Sequence, residues 1–153
     1  NDIVAEMFNE MVTRNNEYKD AGMDSAALEK YEARCYVIFG MKRLFEQLND
    51  DAKDKLATLL VKADPIYKIH FVICDSASQI KKHEYDQWYK QHILSADGIW
   101  VGEGIADQFA FKINKITSEM YEEVGAHFGY YIYRNRPILA KLLSAEQKGE
   151  SVE

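Results

Sequence analysis

The chain has 153 residues and a formal net charge of −6, with 47% hydrophobic and 29% charged residues. This length suffices for one domain with a packed core, and the composition is typical of soluble globular proteins. No apolar run approaches the roughly 20 residues of a membrane helix. The acidic balance and the lack of a stripe of Lys and Arg argue against a surface that binds nucleic acid.

The first third of the chain predicts a helix and then a strand. Residues 2–20 carry apolar side chains at helical spacing with charged residues between them, and Gly22 follows as a stop signal. After a polar segment, Arg34–Phe39 (RCYVIF) forms a short apolar run that ends at Gly40. Such a run, closed by a glycine, is typical of a buried strand.

Two helices and a second strand follow. A helical segment over 42–48 precedes Asn49, which is a good N-cap for another helix that ends before Pro65. Ile69–Cys74 is the next apolar run, and the sequence turns abruptly polar at Asp75. This pattern indicates a buried strand whose C-terminal end lies at a functional site.

The second half of the chain is less regular. It predicts a polar, partly helical segment (78–93), a short strand or tight loop (99–101), a strand (109–113), a short helix (117–126), a hairpin (130–133 and 138–142) and a polar, fraying tail (145–153). Strands that alternate with helices indicate an α/β fold with a mainly parallel sheet and a terminal hairpin.

Two cysteines, Cys35 and Cys74, lie inside the apolar runs. Their positions predict buried thiols in a reducing compartment, and no feature of the sequence points to a disulfide between them. The cysteines and the four scattered histidines show no metal-ligand spacing.

Four stretches, in this order, resemble the later part of the FtsK/SpoIIIE-type motor domain, a RecA-like nucleotide-driven translocase. They are FNEMVTRNNEYKDAG (8–22), CYVIFGMKRLFEQL (35–48), KIHFVICDSAS (68–78) and the pair DQFAFKI (107–113) with HFGYYIYRNRPILAKLL (127–143). They are similar to the helix before the Walker B strand, the Walker B strand itself, the sensor strand and the closing strands. DGIWVGEGIADQ (97–108) most resembles the C-terminal ATPase domain of the type VII secretion motors of Firmicutes.

The resemblance implies the C-terminal portion of a RecA-like P-loop NTPase core, built in three layers around a mainly parallel sheet. Residues 1–144 would form this domain, from before the Walker B strand to the closing strands, and residues 145–153 a polar tail. The phosphate-binding motif GxxxxGK[ST] does not occur in the sequence.

The resemblance also marks five former nucleotide-site positions. A Walker B strand should end in acids that hold magnesium, but here the strand ends in Gly40 and Met41. The polar sensor positions fall on Asp75 and Ser76, and the arginine of the closing strand falls on Gln108. A carboxylate at position 75 would repel a γ-phosphate. The polar cluster of residues 75–78 could instead cap the next helix, and Ser78 before Gln79 suits that role.

Four aromatic residues are candidates for binding a partner. Tyr85, Trp88 and Tyr89 would share one helix face, and Trp100 lies between two glycine-containing segments. Aromatic side chains with polar tips are enriched at interfaces, whereas core packing of Trp88 is the alternative.

With these site residues missing, the resemblance implies a non-catalytic, degenerate ATPase domain of a type VII secretion motor. Its expected partners are helical secreted substrates and neighbouring ATPase domains, with self-association left open; nucleic acid and direct membrane insertion are not favoured. No cofactor is evident, and ATP with magnesium is left open for the parent motor. The expected location is the cytoplasmic side of the bacterial membrane. The alternatives are part of an active protein or DNA translocase whose Walker A lies outside this chain.

Overall fold

The computed structural model describes residues 1–142, which divide into two compact units. The N-terminal unit comprises Asn1–His92, and the C-terminal unit runs from Ile93 onward. The predicted tail, residues 145–153, lies outside the described residues. Among the helices of the described residues, none is both long and apolar enough to cross a membrane.

The N-terminal unit combines four α-helices with two parallel strands. Its elements are α1 (Asp2–Asp20), β1 (Arg34–Phe39), α2 (Met41–Gln47), α3 (Asp50–Lys62), β2 (Ile69–Cys74) and α4 (Ala77–Ile80). The two strands pair in register from Arg34↔Ile69 to Phe39↔Cys74. Both strands have the predicted bounds, and the Asn49 side chain caps α3 by accepting the Ala52 N–H at 2.9 Å, as predicted.

Arg14 joins α1 to the segments that lead into both strands. Only 1% of this residue is exposed. Its guanidinium donates to the carbonyl oxygens of Tyr67 (2.6 Å), Lys68 (3.2 Å) and Glu32 (3.1 Å). It also pairs with the Glu10 carboxylate one helical turn earlier. One buried cation thus donates to three backbone carbonyls, and the Lys68 carbonyl also accepts the Arg34 N–H at 2.8 Å.

Glu10 extends this network to β1. Its Oε2 accepts a hydrogen bond from the Tyr36 hydroxyl at 3.0 Å, and its Oε1, which pairs with Arg14, lies 3.6 Å from the Arg34 Nε. The pKa of Tyr36 is raised above its ordinary value by burial and then by this hydrogen bond to Glu10, because both favour the neutral phenol.

The Tyr36 phenol should make the protein sensitive to alkaline pH. Its pKa is higher in the folded state, so its stabilising contribution is complete below about pH 10 and is lost as pH rises through the folded-state pKa. Tyr36→Phe should lower the free energy of unfolding by about 1 kcal/mol at pH 8. The difference from wild type should narrow above pH 10, and urea titrations between pH 8 and pH 11 test this. A difference independent of pH would contradict the assignment.

One face of the parallel strand pair is open. Val37, Phe39 and Val72 lie on this face and are exposed. Cys35 is exposed on the same side, and Cys74 is partly buried; both thiols are free. The prediction that both cysteines are buried is therefore wrong for Cys35. The apolar run predicted a strand buried on both faces, but only one face of the strand is covered.

The C-terminal unit is built on a three-stranded antiparallel sheet. Its strands are β3 (Gly98–Val101), β4 (Phe128–Tyr133) and β5 (Arg136–Lys141), in the order β3-β4-β5. The predicted closing hairpin is confirmed, and its two-residue turn, Arg134-Asn135, has positive φ at both positions. One sheet face covers a core cluster: Ile105, Ala106, Met120, Tyr130 and Ile132, with Trp100, Phe111, Ile113 and Val124 packed against it.

The α/β class is confirmed. The predicted mainly parallel sheet is wrong for residues 1–142. Two parallel strands lie in one sheet and three antiparallel strands in another. The strand predicted over 109–113 is wrong, since this segment is irregular and Lys112 donates its N–H to Leu94 at 2.7 Å outside any strand ladder. The helix predicted over 117–126 is only a 3₁₀ turn, Ser118–Tyr121. The segment 78–93 is partly helical, as predicted: after α4 it contains a 3₁₀ turn (Lys81–His83) and a π-helix (Tyr89–Ile93).

Candidate functional site

Four of the five predicted nucleotide-site residues meet where β1 and β2 end. Because parallel strands end at the same edge of a sheet, Gly40, Met41, Asp75 and Ser76 lie together, and we call this group the strand-end junction. The Gly40 N–H donates to the Cys74 carbonyl at 3.0 Å. The two Asp75 carboxylate oxygens accept the N–H groups of Met41 (2.8 Å) and Ser76 (2.7 Å).

Gly40 allows the chain to turn directly from β1 into α2. It is the N-cap residue of α2 and has φ of 73°, in the left-handed region that favours glycine. A glycine has no side chain with which to cap the helix. Asp75 supplies the missing cap from the next strand, across 34 positions of sequence. The expectation that Ser78 caps the following helix is wrong, because Ser78 lies inside α4. The N-cap residue of α4 is Ser76, and it makes no side-chain cap hydrogen bond.

The chemical groups of the strand-end junction suit a structural role. Its one charged group is the Asp75 carboxylate, which lies at the first amide of α2, where a negative charge is favourable. The junction itself contains no nucleophile paired with a base. Across residues 1–142, no group of three or more His, Cys, Asp or Glu side chains is placed to hold a metal ion.

Asp75→Ala should lower the free energy of unfolding by about 1 kcal/mol, because it removes the cap of α2 and one acceptor for Ser76. Chemical denaturation measures the loss. The matched control is Ser78→Ala. The Ser78 hydroxyl is exposed and lies 3.3 Å from the Ser76 hydroxyl, so the effect on stability should stay within about 0.5 kcal/mol. Equal losses in the two variants would show that the Asp75 cap contributes nothing.

Gln108, the fifth predicted position, lies in the C-terminal unit and shapes a loop. Its side-chain amide donates to the Phe111 carbonyl at 2.9 Å and accepts the Phe111 N–H at 2.7 Å. Both polar ends of the side chain are therefore used to hold the backbone of the same residue.

The predicted aromatic surface is only partly exposed. Tyr85 is 80% exposed, with the Lys90 ammonium 5.7 Å from its ring centre. Trp88 and Tyr89 are 3% and 2% exposed, so the core-packing alternative describes them. Trp100 is partly buried and donates its indole N–H to the Glu103 carbonyl at 2.9 Å. A shared exposed face for residues 85, 88 and 89 is wrong, because no regular helix spans them.

Sequence reasoning missed a second surface, on the C-terminal unit. The sheet face opposite the core carries exposed apolar side chains on all three strands, and we call it the outer sheet face: Ile99, Val101, Tyr131, Tyr133 and Ile138. The signal was present in IWV and YYIY, which lack the polar alternation of a strand with one wet face.

Among solved structures, the chain is similar to the cytoplasmic domain of EssC, with a TM-score of 0.66 and 18% identity. The similarity covers 90% of this chain and 27% of that chain. The chain has the fold of part of this EssC domain. The predicted resemblance to a type VII secretion motor is thereby confirmed as a similarity of fold, while the RecA-like P-loop core stays a prediction. The chain spans about a quarter of the EssC structure's length. No family model matches the chain, and no curated protein matches it.

Proposed function

We propose that this chain is a degenerate, non-catalytic ATPase domain of a type VII secretion motor, with a RecA-like ancestry. The EssC-like fold supports the motor assignment. The observation that carries the non-catalytic assignment is the strand-end junction. Gly40 and Met41 lack the carboxylates that a Walker B strand needs, and the nearby Asp75 carboxylate is engaged as a helix cap.

A working phosphate site presents amide or cationic donors to the nucleotide. At the strand-end junction the amides of Met41 and Ser76 already donate to Asp75, and a bound γ-phosphate would meet a like charge. The domain's contribution to the motor would then be binding: recognising helical secreted substrates and contacting neighbouring ATPase domains, on the cytoplasmic side of the membrane.

Calorimetric titration of the whole chain with Mg-ATP tests the loss of nucleotide binding, with a working P-loop ATPase as the positive control. We expect no binding heat at nucleotide concentrations up to about 1 mM. A Kd of about 1 mM corresponds to a favourable binding free energy of only about 4 kcal/mol. A helical substrate of the secretion system is the second titrant and should bind. Micromolar ATP binding would show that Gly40, Asp75 and Gln108 are wrongly assigned as lost positions, and would favour a surviving nucleotide site.

A further inference from the structure

The outer sheet face is contiguous across the three strands of the C-terminal unit. Ile99, Tyr131 and Ile138 are directly paired across β3, β4 and β5, so their side chains form one row. Val101 and Tyr133 extend this row along the strands. All five side chains are between 41% and 71% exposed.

This face departs from the usual pattern of an antiparallel sheet. Such a sheet normally places polar side chains on the face that meets water. Contiguous apolar patches on a protein surface mark places where another molecule binds. The rings of Tyr131 and Tyr133 lie nearly parallel, with centres 6.1 Å apart and planes inclined by 16°. Tyrosine offers a large contact area with little side-chain entropy to lose, which suits a binding surface.

Two arginines and one aspartate lie at one end of this face. The Arg134 guanidinium lies 5.2 Å from the centre of the Tyr133 ring, and Arg136 is paired with Tyr133 across the hairpin. Neither arginine takes part in an ion pair formed within residues 1–142. The Asp97 carboxylate accepts the backbone N–H of Arg134 at 2.9 Å. Two side-chain cations therefore remain available at one end of an apolar face, on a chain whose net charge is −6.

The dimensions of the face suit a helix. Neighbouring strands lie about 4.8 Å apart, so β3 and β5 are separated by about 10 Å, close to the diameter of an α-helix with its side chains. An apolar stripe at positions i, i+3, i+4 and i+7 would cover the row of Ile99, Tyr131 and Ile138. We propose that the outer sheet face binds an amphipathic helix that carries carboxylates beside its apolar stripe, at the end nearest Arg134 and Arg136. This proposal names a surface for the helix recognition included in the proposed function, and to that extent it rests on that function.

Two designed 14-residue peptides provide the probe. Both carry leucines at i, i+3, i+4 and i+7; one has glutamates beside the stripe and the other has lysines at the same positions. Fluorescence anisotropy with the whole chain should give a Kd of about 10–100 μM for the acidic peptide and at least about fivefold weaker binding for the basic one. Ile138→Lys should weaken the acidic peptide at least about tenfold. Arg136→Glu should reduce the preference for the acidic peptide or reverse it.

The control is Ile3→Lys, which places the same charge at an exposed isoleucine of α1 and should leave peptide binding unchanged. Circular dichroism of each variant shows whether the fold is kept, and Val101→Lys serves if Ile138→Lys fails to fold. The proposal would be overturned if the acidic peptide did not bind. It would also be overturned if this peptide bound Ile138→Lys and Val101→Lys as tightly as it binds the wild type. A dimer, seen by sedimentation, that Ile138→Lys converts to monomer would overturn it too, because a second copy would then occupy the face. The Mg-ATP titration is independent of these outcomes, so failure of the nucleotide assignment and failure of the helix surface are distinguishable.

Discussion

Arg14→Ala is expected to lower the free energy of unfolding by about 3 to 5 kcal/mol, a large part of the stability of an ordinary domain. The substitution removes the donor shared by the carbonyls of Tyr67, Lys68 and Glu32. It also removes the buried cation paired with the Glu10 carboxylate, which keeps only the more distant Arg34 at 3.6 Å. These carbonyls lie just before β1 and β2, so the loss should loosen the entry to both parallel strands.

Urea denaturation followed by far-ultraviolet circular dichroism measures the effect. Arg14→Lys keeps the charge but cannot reach three carbonyls with one planar fork of donors, so its loss should be intermediate. Asn16→Ala, at an exposed position of the same helix, is the matched control and should change stability by less than about 0.5 kcal/mol. Near-neutral behaviour of Arg14→Ala would mean that water replaces the guanidinium and that the network is not what holds α1 in place.

Ile132→Ala is expected to lower the free energy of unfolding by about 2 to 5 kcal/mol. Ile132 is fully buried in the core beneath the antiparallel sheet, and alanine leaves a cavity there. Ile138→Ala is the internal comparison. It removes the same atoms from the same sheet, but Ile138 is 54% exposed on the outer sheet face, so the expected loss is below about 1 kcal/mol.

Denaturation gives the size of each loss, and hydrogen exchange gives its location. In Ile132→Ala the faster exchange should map to residues 98–101 and 128–141, the strands that share this core. Equal losses for Ile132→Ala and Ile138→Ala would contradict the assignment of an inner and an outer face. That result would also remove the basis for proposing the outer sheet face as a binding surface.

The parallel strands could be read from the sequence because their signals are local. Arg34–Phe39 and Ile69–Cys74 are short apolar runs with clear ends, and the cap of α3 lies three residues from the amide that it accepts. The segment 109–113 had an equally clear alternation but forms no strand. Its Phe111 backbone is bound by the Gln108 side chain, and apolar alternation carries no information about such a competitor.

The candidate site was predicted in part. The positions of Gly40, Met41, Asp75 and Ser76 at one sheet edge follow from parallel pairing alone. The role of Asp75 as the cap of α2 does not, because it depends on a contact between residues 34 positions apart. The burial of Trp88 was likewise beyond local reasoning: its ring lies 5.1 Å from that of His83, in a segment whose helix is interrupted.

The backbone at Gly40 works against an acidic residue at that position. Its left-handed φ of 73° would cost a residue with a side chain about 1 to 2 kcal/mol. A carboxylate there would also add a second negative charge close to Asp75, and removing Asp75 first would uncap α2. Each single step toward an acid at position 40 is therefore unfavourable. In evolutionary terms the junction is a barrier, which keeps a lineage that carries it from gaining this acid one mutation at a time.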